Sequence, residues 1–254
     1  MNFIKIKPDD KCLVIAPHAD DESIGCGGLL LTYPQNFEVV VLTDGRRGGG
    51  NGDYDEELIV KTRLKELQET MEFAKIKNYR NLMIKDREVY KNLEKINTLN
   101  LKRYDYVFVP NGYETHIDHN PILARVKRIL RFWQKTRIVS YEVWSPIPNP
   151  NLYLDISGVA EQKRALISHY KSQIKHNDYA NKAVSLNHYR GLPCGLKYAE
   201  AFFIEQTFAE KFGFCIMWLD DRIIVKFLGM KATITNKHSI YGYLCHFNAK
   251  NIKK

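Results

Sequence analysis

The chain of 254 residues carries 38 Lys and Arg against 29 Asp and Glu, a formal net charge of +9, and 44% of its residues are hydrophobic. This length suits one large α/β domain or two small ones, and a core of that size needs neither disulfides nor a structural metal to fold. The basic residues are spread along the chain beside acidic ones. That spread argues against a nucleic-acid partner and is compatible with an anionic small molecule.

The cysteines indicate the compartment in which the protein works. The chain has five, an odd number, with no CxxC pair. This argues against a disulfide framework or a thiolate zinc site and favours a reducing cytoplasm. The first residues lack the apolar core of a signal peptide, and no apolar run approaches the about 20 residues of a membrane helix. We therefore expect a cytoplasmic protein without a transmembrane segment. Its oligomeric state cannot be read from the sequence.

Short apolar runs rich in β-branched residues alternate with helical patterns, which is typical of a parallel sheet covered by helices. The predicted strands are, in chain order, 12–16, 37–43, 82–84, 106–109 and 137–143. The predicted helices are 21–33, 55–75, 88–99, 121–134 and 158–174. The pattern predicts an α/β fold with a Rossmann-like three-layer α/β/α arrangement around a mostly parallel sheet.

Two segments fall outside this alternation. A glycine-rich stretch at 46–53 follows the second strand, and we expect it to be a loop at the carboxyl edge of the sheet, where ligands bind. The last part of the chain has two apolar runs, 214–219 and 222–228, on either side of two aspartates, and this predicts a hairpin. We therefore predict a catalytic domain at 1–206 and a C-terminal β-rich extension at 207–254, packed on the same domain.

Charged residues are concentrated directly after the first strand. The segment Pro17-His-Ala-Asp-Asp-Glu22 puts one histidine and three acids at the carboxyl end of a strand that should be buried. A packed core does not accept such charges without partners, because unpaired buried charge is costly. A divalent cation would offset it. Imidazole nitrogen and carboxylate oxygen are ligands that zinc and ferrous iron accept.

A second cluster, His116-Ile-Asp-His119, follows the fourth predicted strand. If the first and fourth strands are neighbours, both clusters meet at one edge of the sheet. Three protein ligands with an open position are typical of a catalytic metal. Alternatively, the acids after the first strand cap the following helix, and the second cluster is a hydrogen-bonded loop. The occurrence of both clusters at strand ends favours the metal site.

These residues resemble a known family. Pro17-His-Ala-Asp-Asp-Glu22 is similar to the PHPDDE signature of the PIG-L/LmbE-like de-N-acetylases, with Ala19 in place of the second proline. Glu114 stands where some members have a tyrosine. The resemblance runs from about residue 10 to residue 205. Its other landmarks are Thr43-Asp44-Gly45, Arg63-x-x-Glu66, His116-x-Asp-His119, Asp155-Ile-Ser157, Lys163, His169-x-x-Ser172-Gln173 and Tyr198-Ala-Glu-Ala-Phe202.

The resemblance implies a role for each matching residue. Three residues would hold the metal, which is usually zinc, with Fe2+ as the alternative: His18, Asp21 and His119. Two residues would be catalytic: Asp20 as the general base, and His116 as oxyanion stabiliser or general acid. Three more would bind the substrate: Arg63, Asp86 and Tyr113.

Three functions remain open on the sequence. The leading hypothesis is a metal-dependent amide hydrolase that removes an N-acetyl group from a GlcNAc-type amino sugar through a water that the metal activates. The second is a deacylase of another N-acyl amide, such as a nucleotide-sugar or antibiotic-like compound. The third is a non-catalytic sugar- or nucleotide-binding module, against which Asp20 argues because mere binding needs no base. In each case the expected partner is a small molecule, with an amino sugar preferred.

Overall fold

The computed structural model describes residues 1–50, 54–133, 135–175 and 177–206 with their side chains, and the backbone of three strands beyond them. Seven strands form one sheet. They are β1 Cys12–Ala16, β2 Phe37–Thr43, β3 Asn78–Ile84, β4 Tyr106–Pro110, β5 Arg137–Tyr141, β6 Leu152–Asp155 and β7 Ala199–Glu205.

Helices fill the connections between these strands. The α-helices are α1 Asp21–Thr32, α2 Glu56–Phe73, α3 Asn120–Ile129, α4 Ala160–Ser168, α5 Lys171–Ile174 and α6 Tyr179–Gly191. Short 3-10 helices cover Pro34–Asn36, Val89–Lys91, Leu93–Leu99, Leu101–Arg103 and Leu192–Cys194. Within the described residues, none of these helices is long and apolar enough to cross a membrane.

The sheet has the order β3-β2-β1-β4-β5-β7-β6. Strands β1 to β5 are parallel, and β7 runs antiparallel to both β5 and β6. The predicted α/β fold with a mostly parallel sheet is therefore confirmed. Strand β1 pairs with β2 on one side and β4 on the other, so the chain direction across the sheet reverses beside β1. Ligands of open α/β sheets bind at the carboxyl ends of the strands at such a point.

Both faces of the sheet are covered, as the strand sequences predict. Val14 belongs to the core on the face of α1, α2 and α4. Its neighbours Leu13 and Ile15 belong to the core on the face of α3 and the 3-10 helices. This alternation follows from the two-residue period of a strand. All five residues of β1 are buried, so the residues that follow its last position leave the strand from the centre of the molecule.

The structure contains three elements that the sequence did not predict, β6, β7 and α6. Glu200 interrupts the apolar pattern of β7, and the buried side of α6 has mainly small residues. The predicted helix 88–99 is instead a pair of 3-10 helices, because Leu93, Ile96 and Leu99 repeat at the three-residue period of that helix.

The predicted helix 158–174 is interrupted between α4 and α5. Tyr170 leaves the helical conformation, with φ −78° and ψ 60°. Its fully buried hydroxyl donates a hydrogen bond of 2.6 Å to Oε1 of Glu22 in α1. This tertiary hydrogen bond is compatible only with a non-helical backbone at Tyr170, which ends α4 before α5 begins.

Beyond residue 206 the described backbone forms a second sheet of three strands, β8 Cys215–Leu219, β9 Arg222–Phe227 and β10 Met230–Ile234. Strands β8 and β9 pair antiparallel, as the predicted hairpin requires, and β10 pairs with β9. The other residues of the predicted extension lie outside the described part. The packing of 207–254 on the first 206 residues therefore stays a prediction.

A buried ion pair joins the layers on the α1 side of the sheet. Nζ of Lys163 in α4 lies 2.7 Å from Oε1 of Glu200 in β7, and both residues are at most 1% exposed. Glu200 also accepts hydrogen bonds from the backbone N–H groups of Gly28 and Leu29 in α1. A Cβ atom on Gly28 would lie 2.4 Å from the side chain of Ile156, so only glycine permits this close approach.

We expect Lys163→Met to lower the free energy of unfolding by about 3–5 kcal/mol, because it leaves the buried carboxylate of Glu200 without its cation. Lys65→Met is the matched control. Lys65 is exposed on α2 in a surface pair with Glu69, so its loss should cost less than about 1 kcal/mol. Urea unfolding of the two variants measures both values. Equal costs would contradict the structural role of the buried pair.

Candidate metal centre

The loop after β1 has an unusual backbone. Asp20 has φ 149° and ψ −29°, a conformation that non-glycine residues rarely adopt. Such a residue stores on the order of 1–3 kcal/mol of strain and persists only where its surroundings hold it. Here the Asp20 N–H donates to Oε2 of Glu22 at 3.0 Å, and the Asp20 carbonyl accepts from the N–H groups of Ser23 and Ile24.

Glu22 is the internal anchor of this loop. Its carboxylate is fully buried, and Oε1 accepts hydrogen bonds of 2.6 Å from the hydroxyls of Ser23 and Tyr170. Burial raises its pKa, while these hydrogen bonds oppose that rise. Glu22 thus connects the strained backbone of Asp20 to α1 and to the segment between α4 and α5.

Three ligand-type atoms form a nearly equilateral triangle. His18 Nδ1, Asp21 Oδ2 and His119 Nε2 are separated by 3.2 Å in each of the three pairs. A tetrahedral zinc ion with bonds of about 2.0–2.1 Å keeps its ligand atoms about 3.4 Å apart. The donor set of two imidazoles and one carboxylate also suits zinc or Fe2+. These residues therefore fit such an ion.

The other nitrogen of His18 fixes the tautomer of its ring. Nε2 lies 3.1 Å from Oδ1 of Asp86 and 3.3 Å from Oδ2 of Asp118. Asp118 is fully buried and also accepts hydrogen bonds from the backbone N–H groups of Arg87 and Val89. A proton on Nε2 satisfies the two carboxylates and leaves the lone pair of Nδ1 within the triangle. Carboxylates commonly orient metal-binding histidines in this way.

Asp86 and Asp118 also form a second possible metal site with His18. His18, Asp86 and Asp118 each present one ligand-type atom within 4.8 Å of the others. A cation there would need the Nε2 lone pair and would displace the proton that the two carboxylates hold. His18, His116 and His119 likewise each present one ligand-type atom within 4.8 Å of the others. A proton on Nε2 of His18 favours a metal at Nδ1, the nitrogen that faces His119 and Asp21.

Glu114 faces the second histidine, a contact that the sequence analysis missed. Its Oε2 lies 3.5 Å from Nδ1 of His119, and among the described residues neither atom has a hydrogen-bond partner. Its Oε1 accepts from the backbone N–H groups of Val143, Trp144 and Ser145 at 3.1–3.3 Å. In the sequence, this contact was indicated only by the position of Glu114, five residues before His119 and between the fourth predicted strand and the second charged cluster.

His116 lies over the triangle but is not part of it. Its ring meets that of His18 edge-on, with centroids 4.9 Å apart. Its Nδ1 accepts a hydrogen bond from the Asp118 N–H at 3.2 Å, so the neutral ring carries its proton on Nε2. Burial and the neighbouring imidazoles lower its pKa. This environment favours a neutral His116 that donates from Nε2 over a protonated one.

Asp20 and Arg63 lie side by side at the loop. Burial raises the pKa of Asp20 to about 7, although the guanidinium of Arg63 opposes this rise. One Nη of Arg63 lies 3.5 Å from Oδ1 of Asp20 and donates to the Ala19 carbonyl at 2.6 Å. Arg63 is 3% exposed and holds the loop in place. Its predicted contact with substrate stays a prediction.

These side chains surround a cleft of about 140 Å³. Its lining residues are His18, Asp20, Asp21, Gly45, Arg47, Gly48, Arg63, Asp86, Arg87, His116, Trp144, Gln173 and Tyr179. Of the predicted substrate-binding residues, Arg63 and Asp86 line the cleft. Tyr113 does not. It is 63% exposed and lines a different pocket, with Leu123 and Phe203.

A known protein family matches the half of the chain that contains the site. The family model described as "PIG-L: GlcNAc-PI de-N-acetylase" matches residues 13–139, which is half of the chain. The matched region contains β1 to β4 and both charged clusters. No curated protein matches the chain.

Solved structures share the fold. N,N'-diacetylchitobiose deacetylase from Pyrococcus horikoshii is 25% identical with a TM-score of 0.66, over 77% of this chain and 84% of the other. GalB, the 4-carboxy-2-hydroxymuconate hydratase from Pseudomonas putida, is 19% identical with a TM-score of 0.59, over 77% and 96%. A deacetylase of teicoplanin biosynthesis is 14% identical with a TM-score of 0.59, over 77% and 99%. The last two likenesses establish the fold alone.

We expect Glu114→Gln to weaken zinc binding by about 10–100-fold, the usual effect of losing a carboxylate that orients a ligating histidine. The amide keeps an oxygen for the backbone donors of the loop after β5 but turns an NH2 group toward Nδ1 of His119, which cannot accept a hydrogen bond from that nitrogen. Glu161→Gln, at an exposed acid on α4, is the control and should leave the affinity unchanged. Competition with a chelator of known affinity measures both. An unchanged affinity in Glu114→Gln would contradict the orienting role.

Proposed function

Because the chain belongs to the PIG-L family of de-N-acetylases, we propose that it is a metal-dependent amide hydrolase that removes an N-acetyl group from a GlcNAc-type amino sugar. The observation that carries the metal dependence is the triangle of His18 Nδ1, Asp21 Oδ2 and His119 Nε2, with three equal separations of 3.2 Å. Zinc is the ion that we expect, with Fe2+ as the alternative.

His18, Asp21 and His119 would hold the ion with one position open toward the cleft. When bound, an ion of this kind polarises a carbonyl oxygen and makes water acidic enough to act as a nucleophile near neutral pH. Asp86 and Asp118 would orient His18, and Glu114 would orient His119, so that all three ligand atoms converge without rearrangement.

Asp20 is our candidate for the general base. It lines the cleft directly beside Asp21 but is not part of the triangle, so its carboxylate is free to accept a proton. The attacking water gives that proton to Asp20 as its oxygen bonds to the amide carbon. The C–N bond then breaks, and the amine leaves with the proton that Asp20 took from the water. Acetate and a free amino sugar are the products.

His116 would stabilise the negative charge that develops on the carbonyl oxygen. Its Nδ1 is occupied by the Asp118 N–H, so the neutral ring directs an N–H donor from Nε2. One such donor is worth about 10²–10³-fold in turnover when it is aimed at the developing oxyanion. Because the ring is neutral, it donates a hydrogen bond without requiring an additional positive charge beside the metal.

The substrate assignment rests on the family and on the cleft. The similar structure from Pyrococcus horikoshii is a deacetylase of N,N'-diacetylchitobiose, which supports an N-acetylated amino sugar. Arg47 and Arg87 line the cleft, which is compatible with an anionic group on that sugar. A hydratase shares the fold, so the fold alone does not determine the reaction. The family match and the ligand triangle are therefore what support hydrolysis.

Amine release from a panel of N-acetylglucosamine derivatives, with zinc and with a chelator, tests this proposal. We expect chelator-sensitive release, which His119→Ala abolishes together with zinc binding. Asp20→Asn should keep zinc and lose about 10²–10⁴-fold in turnover, because it removes the proton acceptor. Asp9→Asn, at an exposed position before β1, is the matched control. It should keep the zinc binding and the turnover of the unsubstituted protein.

Three outcomes would each contradict a different part of the proposed function: the base, the metal dependence or the substrate class. Full turnover in Asp20→Asn would show that the base is another group. Release that persists in the chelator and in His119→Ala would contradict metal dependence. A zinc-loaded protein that releases amine from no member of the panel would contradict the substrate class, even if the ion binds as proposed.

A further inference from the structure

A buried hydroxyl outside the cleft is connected to the backbone of Asp20 through one carboxylate. Tyr170 is fully buried, and its hydroxyl donates a hydrogen bond of 2.6 Å to Oε1 of Glu22. The other oxygen of Glu22, Oε2, accepts a hydrogen bond of 3.0 Å from the Asp20 N–H. Two hydrogen bonds thus lead from Tyr170 to the base of the proposed reaction. Tyr170 itself does not line the cleft, so it can act on the reaction only through another residue.

The backbone of Asp20 needs this support. Its φ of 149° lies in the region that favours glycine, and such a residue keeps its conformation only where its surroundings hold it. The N–H groups of Ser23 and Ile24 hold its carbonyl, and the Glu22 carboxylate holds its N–H. A glutamate side chain has several rotatable bonds, so it keeps its aim only when it is itself fixed. The hydroxyls of Tyr170 and Ser23 fix it by donating to Oε1.

Of these two hydroxyls, only that of Tyr170 comes from another part of the fold. Ser23 is the neighbour of Glu22 in α1 and moves with it. Tyr170 follows α4, and its ring belongs to the hydrophobic core on the α1 side of the sheet. The phenol hydroxyl therefore has a position that the core determines. Since Glu22 and Tyr170 are both fully buried, water does not compete for this hydrogen bond.

The segment that contains Tyr170 has further anchors of its own. The N–H and the hydroxyl of Ser172 each donate to Glu66 in α2 at 2.7 Å. The side-chain amide of Gln173, which lines the cleft, donates to the Gly48 carbonyl at 3.1 Å. These contacts do not involve the Tyr170 hydroxyl. Removal of that hydroxyl alone should therefore leave the segment in place and free only Glu22.

We propose that Tyr170 is a positioning residue for the base: its hydroxyl, acting through Glu22, holds Asp20 in the conformation that presents its carboxylate to the cleft. The proposal rests on the proposed function. Without the hydroxyl, Oε1 of Glu22 keeps only the donor from Ser23, and the strained backbone of Asp20 is free to relax. The carboxylate then leaves the place from which it accepts the proton of the attacking water. The loss therefore falls on turnover, while the binding of metal and substrate stays as it was.

The test is Tyr170→Phe in the full zinc-loaded chain, with Tyr141→Phe as the matched control. The hydroxyl of Tyr141 is also fully buried and donates to a main-chain carbonyl, that of Ile15, at 2.9 Å. Each variant loses one buried hydrogen bond, so the two should lose similar stability. We expect kcat to fall at least about tenfold in Tyr170→Phe, because a slightly misplaced catalytic group is inefficient. KM and zinc affinity should stay within about twofold, and Tyr141→Phe should change none of the three.

A double-mutant cycle tests whether Tyr170 acts through Glu22. Glu22→Met keeps a side chain of similar length but removes the acceptor of both hydrogen bonds, so kcat should fall in this variant as well. Adding Tyr170→Phe to Glu22→Met should then lower kcat by less than about twofold, because the connection is already broken. Losses that multiply in the double variant would overturn the proposal. A Tyr170→Phe variant with full kcat, or a loss that Tyr141→Phe reproduces, would also overturn it.

Hydrogen exchange at the Asp20 N–H, followed by NMR, gives a readout that needs no turnover. We expect this exchange to be about tenfold faster in Tyr170→Phe and unchanged in Tyr141→Phe, since only the first variant frees the acceptor of that N–H. Faster exchange in a chain that releases amine from no substrate would support the hold of Tyr170 on Asp20 and contradict the proposed function. Hydrolysis with unchanged kcat and unchanged exchange in Tyr170→Phe would overturn the positioning role and leave the proposed function standing.

Discussion

Three carboxylates buried at the end of the central strand are the constraint on which the rest of this structure depends. Asp20, Asp21 and Glu22 are each at most 8% exposed, and charge at such depth must be offset locally. Each is offset differently. Asp21 faces two imidazoles, Asp20 faces a guanidinium, and Glu22 accepts from hydroxyl and backbone donors. The strained Asp20 backbone, the interruption before α5 and the position of α2 all serve this compensation.

A second set of acids lies around the first. Asp86, Asp118 and Glu114 come from the segments after β3 and β4, and backbone N–H groups hold each of them. One oxygen of each also faces a histidine, His18 for the two aspartates and His119 for Glu114. The orientation of the imidazoles is therefore determined by main chain at the carboxyl ends of neighbouring strands. Supporting groups on rigid elements keep a site close to its working geometry.

The meeting of the two charged clusters was predicted from the sequence on the condition that the first and fourth strands are neighbours, and β1 does pair with β4. The role of Glu114 could not, since it depends on backbone donors at Val143 to Ser145, which are distant in sequence and follow another strand. Tyr113 shows the converse: one residue from Glu114, it faces solvent. Strands β6 and β7 and helix α6 escaped prediction, since Glu200 of the buried ion pair interrupts β7 and small side chains line the buried side of α6.

Glu114 contacts both the histidine of the triangle and the backbone of Trp144, whose side chain lines the cleft. In the proposed function one carboxylate would therefore take part in two binding equilibria, that of the ion and that of the substrate. A ligand that moves Trp144 changes the electrostatic field of Glu114 at His119. An ion bound to His119 changes the hydrogen bond that Glu114 accepts from the Trp144 N–H. Thermodynamic linkage makes the two effects equal, so the metal and the ligand change each other's affinity by the same factor.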